Sequence, residues 1–333
     1  MAPTGGKTDE FEAATAPYRR ELFAHCYRMT GSVGDAEDLV QETYLRAWQA
    51  YDRFEHRSSV RTWMYRIATN ACLSALHRGR RRVLPSGLGP PSHDPYAPLQ
   101  PAQASVAWLE PVPERLVVDD DADPAQVVAA RHSVRLALVA TLQLLPPRQR
   151  AALILCEVLD LPASEVADLL DMSAAAVKSL LQRARARIAR AAPSDADIAE
   201  PTDKAARRVL ERYMTAFEQS DSAAIEQILA EEAVLEMTGT STWFSGKTTC
   251  GPFIASPAVI GHPGDWIMVP LRANGQLAAA AYHRSSDETH RAFTIVVLAT
   301  HRSHLSRITL FNDPELFGHF GLPLEQRSGR VGQ

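Results

Sequence analysis

"MSAAAVKSLLQRARARI" (residues 172–188) divides into two unlike faces when it is wound as a helix. The apolar face contains Ala174, Val177, Leu180, Leu181, Ala184 and Ile188. The other face contains Lys178, Ser179, Gln182, Arg183, Arg185 and Arg187. A short amphipathic helix is expected just before it, in "LPASEVADLL" (161–170), with a turn between them. The pattern predicts a helix-turn-helix, whose second helix lies in the DNA major groove with its N-terminal side chains at the base edges.

Three residues support this prediction. Asp171 stands where glycine is commonest in such turns, and Asp tolerates left-handed backbone better than most residues. Ser164 and Ser173 are placed to cap the two helices. The alternative to a DNA-binding helix is an ordinary surface helix whose arginines provide solubility. The helix and turn that precede it favour DNA binding over this alternative.

A long helix is predicted upstream, in "GDAEDLVQETYLRAWQAY" (34–51), with Asp35 as its N-cap. Its apolar face contains Ala36, Leu39, Val40, Thr43, Tyr44, Ala47, Trp48 and Tyr51. Its other face contains Asp38, Gln41, Glu42 and Leu45, which project together. A leucine among acceptors is typical either of a solvated face with one stray apolar residue or of a small docking patch.

A second long helix is predicted in "SSVRTWMYRIATNACLSALHRGRRR" (58–82). Its buried stripe is expected to be Val60, Trp63, Met64, Ile67, Ala68 and Ala71. Pointing away are Arg61, Thr62, Tyr65, Arg66, Thr69 and Asn70, followed by Arg78, Arg80, Arg81 and Arg82. Four cations exceed what capping a helix end requires. Interleaved aromatic, amide and guanidinium groups suit unstacked bases and phosphates.

Charge divides the chain in the same way. The net charge of −4 conceals two basic blocks, residues 11–82 and 131–190, each with net charge +4. An acidic block, residues 83–130, separates them, with 1 Lys or Arg against 7 Asp and Glu. Two basic modules indicate contact with one polyanion. We expect a cytoplasmic protein without membrane contact, metal or cofactor, because no leader, membrane-length apolar run or metal-type cysteine spacing is present.

"GDAEDLVQETYLRAW", "VRTWMYRIATNACLSALHR" and "LLPPRQRAALILCEVLDLPASEVADLLDMSAAAVKSLLQRARARI" closely resemble regions 2 and 4 of bacterial sigma-70 family factors of the extracytoplasmic-function group. The resemblance covers residues 11–190. It implies that the chain contacts the β′ clamp helices of core RNA polymerase through Asp38, Gln41 and Glu42, with Leu45 on the same polymerase-binding face. It also implies a contact with the β flap. It implies contact with the −10 promoter strand by Arg61, Thr62, Trp63, Arg66, Asn70 and Arg78. It implies contact with the −35 element by Lys178, Ser179, Gln182, Arg183 and Arg185.

The last third of the chain has a different pattern. Two helices and a strand are predicted in residues 203–237, followed by long strands, the last two joined by a tight hairpin around Arg302. This order predicts an α+β cone, and it is similar to SnoaL-like domains and to a sigma-factor subgroup that carries one. Residues expected to line a pocket are Glu236, Met237, Trp243, Phe244, Tyr282 and His283. Candidate acids and bases are scattered, at His262, Asp265, His283, His301 and His304, so no catalytic residue is assigned and no enzyme is expected.

We therefore predict a multi-domain protein with two all-α sigma domains and a C-terminal cone-like SnoaL-like α+β domain. The boundaries are region 2 at 11–83, a Pro-rich acidic linker at 84–124, region 4 at 125–190, a second linker at 191–202 and the SnoaL-like domain at 203–321. Trp108 and Leu109 are expected to anchor the first linker and so to restrain the separation of the sigma regions.

The predicted function is that of an alternative sigma factor, modulated in cis by its C-terminal domain. An anti-sigma protein or a small ligand of that domain is a further possible partner. Two alternatives stay open: a ligand-sensing helix-turn-helix regulator that does not join polymerase, and a SnoaL-type enzyme fused to a DNA-binding domain.

Overall fold

The computed structural model describes residues 5–56, 58–77, 79–119, 122–191, 204–301 and 303–326. The chain forms two compact units. The first comprises Met1–Arg82, Arg115–Val134 and Leu138–Ala192, and the second comprises Val83–Glu114, Arg135–Ala137 and Pro193–Gln333. The first unit is helical and the second is α+β, which confirms the predicted fold class. In the described ranges, no helix combines the length and the apolar character needed to cross a membrane.

The N-terminal half of the first unit is a helical bundle. Its helices are α1 (Gly5–Thr15), α2 (Arg19–Thr30), α3 (Val33–Ala50) and α4 (Val60–Leu76). The central helix is α2, which is buried on every side from Leu22 to Thr30. Because a helix surrounded by neighbours has no solvated face, its polar side chains must find partners inside the protein.

Two expectations about this bundle are wrong. The N-cap of α3 is Ser32, whose hydroxyl accepts from the Asp35 N–H at 3.2 Å, so Asp35 lies in the first turn. Tyr65 and Thr69 of α4 were expected on its exposed face, but both are fully buried. The Thr69 hydroxyl lies 3.0 Å from Nε2 of buried His25, and this polar pair explains why a threonine belongs to the core.

The rest of the first unit is also helical. Its elements are α5 (Pro124–Ser133), α6 (Leu136–Leu142), α7 (Pro147–Leu153), a π-helical turn (Ile154–Val158), α8 (Ala163–Leu169) and α9 (Ala174–Ala191). The helix-turn-helix is formed by α8 and α9. Asp171 has φ of 53° in the turn, and the Ser173 hydroxyl accepts from the Ala176 N–H at 3.2 Å, as expected. Ser164 is not the cap of α8, because the residue before that helix is Pro162.

The second unit contains two sheets and several helices. A two-stranded sheet joins β1 (Arg82–Val83) and β2 (Ala107–Trp108). The larger sheet contains β3 (Leu229–Met237), β4 (Trp243–Ser245), β5 (Trp266–Ala273), β6 (Gln276–Arg284), β7 (His290–His301), β8 (His304–Phe311) and β9 (Glu325–Gln326). Its helices are α10 (Lys204–Glu218), α11 (Ser222–Ile228), α12 (Lys247–Ile254), α13 (Pro257–Ile260) and α14 (Leu316–His319).

The larger sheet has the order β4-β3-β8-β7-β6-β5, with β9 paired to β7. Among these strand pairs, β3 and β8 are parallel and the others are antiparallel. The chain passes from β4 at one edge of the sheet to β5 at the other edge through α12 and α13. The sheet packs against α10 and α12, with Tyr213, Phe217 and Phe253 in the shared core. The predicted hairpin joins β7 and β8, where His301 is opposite His304; Arg302 lies outside the described residues.

Candidate nucleic-acid and protein-binding surfaces

The exposed face of α3 gathers the first predicted set of site residues. Asp38, Gln41 and Leu45 are exposed, and the Leu45 side chain is 58% accessible. Glu42 is half-buried and paired with Arg46 one turn further along the helix. The opposite face of α3 is in the core, so these four side chains are fixed on one rigid helix.

Arg61, at the start of α4, is bound within the protein. Its Nε and Nη2 donate to the two carboxylate oxygens of Glu21 at 3.0 Å, in the forked geometry of strong guanidinium–carboxylate pairs. The guanidinium carbon also lies 5.1 Å from the centre of the Tyr65 ring. Hydrogen bonding to Glu21 raises the pKa of Arg61 above its ordinary value.

The next residues of α4 form an aromatic and polar platform. The rings of Trp63 and Phe54 are stacked, with centroids 4.6 Å apart and an interplanar angle of 27°. Phe54 also contacts the ring of His56 at 4.6 Å. Arg66 and Asn70 are exposed further along the helix. Arg78 lies outside the described residues.

A cleft of about 520 Å³ separates the start of α4 from α8. Its α4 side presents Thr62, Trp63 and Arg66, and its α8 side presents Glu165 and Asp168. The Thr62 hydroxyl donates to Oε1 of Glu165 at 2.6 Å and lies 2.9 Å from the Ser59 hydroxyl. Two acidic side chains thus face the residues predicted to meet DNA phosphates.

The basic helix α9 presents Lys178, Gln182 and Arg183 to solvent near its start, while Ser179 is half-buried. Arg185 is exposed and its Nε donates to Glu157 at 2.5 Å. Exposed Ala174 and Ala175 keep the start of the helix narrow, as entry into a DNA groove requires.

Two buried polar groups hold the first unit together, and sequence reasoning missed both. Arg150 of α7 is buried; its guanidinium donates to Oε1 of Gln143 at 2.6 Å and to the Met29 carbonyl at the end of α2. Gln143 Nε2 in turn donates to the Arg28 carbonyl at 3.2 Å. Burial lowers the pKa of Arg150 to about 10, so the guanidinium stays charged at neutral pH. Nothing in its spacing distinguishes Arg150 from the surface arginines.

The Pro-rich segment belongs to the second unit as far as Glu114, and its last residues, from Arg115, belong to the first. Leu109 is 1% exposed and its N–H donates to the Val83 carbonyl at 3.0 Å, while Trp108 is half-buried. Glu236, which was expected to line a pocket, instead binds the other end of this segment. Glu236 of β3 is fully buried; Oε2 accepts from the Ser86 N–H at 3.1 Å, and Oε1 accepts from Arg307 at 2.7 Å.

The C-terminal cone contains a cavity of about 200 Å³. Of the six residues expected to line a pocket there, Met237 lines this cavity and the other five do not. Successive strand residues point to opposite faces, so Glu236 lies on the far side of β3 from its neighbours Leu235 and Met237. None of the five candidate acids and bases lines it either. Within the described ranges, no group of three His, Cys, Asp or Glu side chains could hold a metal ion.

Comparison with known proteins identifies the family. A family model of Sigma-70 region 2 matches residues 16–82, and one of Sigma-70 region 4 matches residues 135–188. The chain is 48% identical over 322 residues to the ECF RNA polymerase sigma factor SigG of Mycobacterium tuberculosis (strain CDC 1551 / Oshkosh), which covers 96% of this chain and 86% of that protein. The chain belongs to the ECF RNA polymerase sigma factors.

Two further comparisons concern SigJ of Mycobacterium tuberculosis. This sigma factor is 33% identical to SigJ of strain ATCC 25618 / H37Rv over 226 residues, 67% of this chain and 62% of that protein. The crystal structure of Mycobacterium tuberculosis SigJ is similar to this structure over 95% of the present chain and 99% of the SigJ chain. The TM-score is 0.59 and the sequence identity is 24%. The structural likeness supports the fold: helical regions 2 and 4 followed by a C-terminal SnoaL-like α+β domain.

Proposed function

We propose that this sigma factor directs promoter-specific initiation by presenting three helix faces, one to core RNA polymerase and two to promoter DNA. The α3 face binds polymerase, the α4 platform holds the −10 strand, and α9 reads the −35 duplex. The polymerase supplies the chemistry of nucleotide addition, and the sigma factor is not itself an enzyme. The sigma factor therefore acts in the cytoplasm, together with the polymerase.

The exposure of Leu45 is the observation that carries this proposal. An isolated DNA-binding regulator has no use for an accessible leucine surrounded by Asp38, Gln41 and Glu42. An apolar anchor within a ring of polar groups is the usual anatomy of a small protein–protein contact. Polymerase docking gives this face a function, whereas a regulator that does not join polymerase leaves it unexplained.

The α4 platform suits single-stranded DNA. A flipped or unstacked base gains stability by stacking on an aromatic ring, and the Phe54–Trp63 pair offers such a surface. Exposed Arg66 lies one turn beyond Trp63, where it meets the phosphate of a base held there. Asn70 adds an amide that can donate to and accept from a base edge.

The α9 face suits duplex DNA. Gln182 and Lys178 lie one turn apart near the start of the helix, where side chains of a recognition helix reach base edges. Arg183 and Arg185 follow toward the phosphates. Arg185 is paired with Glu157, so it must leave this carboxylate before it can bind a phosphate. The free-energy cost is small, because an ion pair at a solvated surface contributes little stability.

The free chain holds its −10 surface in a state that DNA must displace. The carboxylates of Glu165 and Asp168 face Thr62 and Arg66 across the α4–α8 cleft. A DNA phosphate near these acids is repelled. Promoter engagement therefore includes separation of α8 from α4, and binding to polymerase is what stabilises the separated state.

The C-terminal domain modulates this activity in cis through the linker. Glu236, buried in the domain, fixes the first residues of the linker by its bond to Ser86. The linker continues along the domain, with hydrogen bonds from Ser92 N–H to the Trp243 carbonyl at 2.7 Å and from Asn274 N–H to the Val112 carbonyl at 2.8 Å. A linker held over this length limits how far the sigma regions can separate.

A two-part experiment tests the proposal. The full chain is mixed with core RNA polymerase, and complex formation is measured by co-sedimentation; strand opening on a promoter is then measured by permanganate reactivity of −10 thymines. We expect a complex and thymine reactivity that depends on both proteins. Tight binding of duplex DNA by the chain alone, with no polymerase complex, would instead support the regulator.

A further inference from the structure

The cavity of the SnoaL-like domain is larger than packing alone explains. It measures about 200 Å³ and lies between α10, α12 and the inner face of the larger sheet. Protein interiors seldom keep voids larger than one water molecule, because atoms around a void lose their contacts. This cavity opens to solvent at the exposed residues Leu99, Phe293 and Ala258, so a small guest can enter it and displace water from its apolar walls.

The lining defines the chemistry of that occupant. Five aromatic residues line the cavity: Tyr213, Phe217, Phe253, Trp266 and Phe293. Among the described residues that line it there is no Asp, Glu, Lys, Arg or His, and the polar side chains are Tyr213, Trp266, Thr294 and Asn312. An ionised guest would lose its hydration with no counter-charge to replace it. An aromatic guest would find ring edges and faces to pack against.

The volume limits the guest to about two fused rings. An apolar cavity of about 150 Å³ accommodates benzene, so about 200 Å³ suits a molecule of the size of naphthol or indole. Catalysis on such a guest is not indicated, because His283 and Asp265 do not line the cavity. Burial raises the pKa of the Tyr213 phenol above its ordinary value, so this hydroxyl is neutral and can act only by hydrogen bonding.

One lining residue comes from the linker. Leu99 lines the cavity, as Phe293 does, and both side chains are also exposed to solvent. The residues after Leu99 are bound to the β3–β4 turn. Gln100 N–H donates to the Thr242 hydroxyl at 2.9 Å, and Ala102 N–H donates to the Gly239 carbonyl at 3.0 Å. A guest that packs against Leu99 therefore also stabilises this segment.

We propose that the cavity binds one small uncharged aromatic molecule, and that Leu99 makes the linker sensitive to its presence. This goes beyond the proposed function, which neither needs nor supplies a ligand. Occupancy strengthens the attachment of residues 99–102 to the domain. Loss of the molecule loosens the same segment.

The first test uses 1-naphthol as the probe with the full chain, and measures affinity by isothermal titration. We expect one site per chain and a melting temperature that rises with probe concentration. Ala281→Leu, which places a larger side chain in the cavity, should weaken binding at least tenfold. Ala258→Trp should also weaken naphthol binding at least tenfold, and because Ala258 is exposed at the rim, the change should not disturb the core.

1-Naphthoate is the matched charged probe, with a carboxylate in place of the hydroxyl. We expect it to bind at least tenfold more weakly than 1-naphthol. Equal affinities for the two probes would overturn the assigned ligand class. Naphthol binding that is absent, or unchanged in both filled variants, would overturn the site itself.

The second test concerns Leu99 and measures amide hydrogen exchange in the peptide containing Gln100 and Ala102. Naphthol should slow this exchange several-fold in the original chain. Leu99→Ala should keep most of the affinity but lose the slowing. Equal slowing in the variant, or none in either chain, would contradict the role of Leu99. Both tests are made without polymerase, so their failure would leave the sigma assignment untouched.

Discussion

The Thr62 hydroxyl donates a 2.6 Å hydrogen bond to Oε1 of Glu165, which joins the proposed −10 surface on α4 to the first helix of the helix-turn-helix. Glu165→Ala removes both this bond and a negative charge that faces DNA. We expect single-stranded −10 DNA to bind the free chain about three- to tenfold more tightly, since one exposed charge interaction contributes roughly 1 kcal/mol. Fluorescence anisotropy with a labelled non-template strand measures the change.

The matched control for that prediction is Glu232→Ala, which removes an exposed carboxylate from the C-terminal domain. It should leave the affinity nearly unchanged. An equal gain in both variants would mean that net charge, and not the α4–α8 contact, limits DNA binding.

Leu45→Glu should weaken binding to core RNA polymerase by at least tenfold. The change replaces an accessible leucine with a charge among the acceptors of the α3 face, and loss of an anchor at the centre of a contact costs about 2 kcal/mol or more. Leu324→Glu is the control, because Leu324 is 57% exposed and Leu45 58%. Similar losses in the two variants would refute the docking face.

Arg183→Ala, which removes a proposed phosphate contact, and Gln182→Ala, which removes a proposed base contact, should have different effects on promoter recognition by the polymerase complex. Loss of a phosphate contact weakens binding to all sequences and reduces the salt dependence by about one unit of slope. Loss of a base contact costs about 1–3 kcal/mol at one position of the −35 element and relaxes its sequence preference. Affinities for a set of single-base −35 variants at two salt concentrations separate the two roles, and Arg190→Ala at the end of α9 serves as control.

His25 makes the stability of region 2 depend on pH. Burial, with the nearby Arg28 charge as a second cause, lowers the pKa of His25 to about 3. In the unfolded chain this pKa is near 6.5, so below that pH the unfolded state binds more protons and stability falls as pH falls. Between pH 6.5 and 4.5 the loss from this residue is about 2–3 kcal/mol.

The measurement is the urea concentration at which Cys26 becomes open to alkylation, since this buried thiol reports on region 2 alone. His25→Gln removes the titrating group and should show a smaller shift between the two pH values than the original chain. His262→Gln, at an exposed position, should shift as the original chain does. Equal shifts in the original chain and His25→Gln would contradict the account.

Glu236→Ala should loosen the linker and destabilise the SnoaL-like domain. The change leaves the Ser86 N–H and the Arg307 guanidinium without their acceptor, and breaking a buried pair in this way costs about 3 kcal/mol. Amide exchange near Ser86 should rise, and the melting temperature should fall. Glu325→Gln, in an exposed pair with Arg291, should change neither.

Helical periodicity predicted most of the fold because buried faces repeat at fixed spacing. The faces of α3 and α9 could be derived from residues such as Leu39 and Val177, and the turn at Asp171 from its tolerance of positive φ. The face of α4 was partly wrong, because Tyr65 and Thr69 pack around His25 and Arg28 of α2. Such a polar core depends on contacts between helices, which periodicity along one helix does not contain.

The pocket and the linker could not be placed from the sequence for a related reason. Which strand residues face inward depends on register: Met237 points into the cavity and Glu236 away from it. Leu99 looks like any apolar residue in a Pro-rich stretch until the hydrogen bonds of Gln100 and Ala102 fix it beside the cone. The Thr62–Glu165 contact joins residues 103 positions apart and has no local signal.

The most direct test of the central claim is run-off transcription with purified core RNA polymerase and the full chain, on genomic fragments that include the DNA upstream of its own coding sequence. We predict a defined transcript that requires the added chain and that Leu45→Glu abolishes while Leu324→Glu does not. No chain-dependent transcript from any fragment, with the polymerase active on a control promoter with its own sigma factor, would contradict the account.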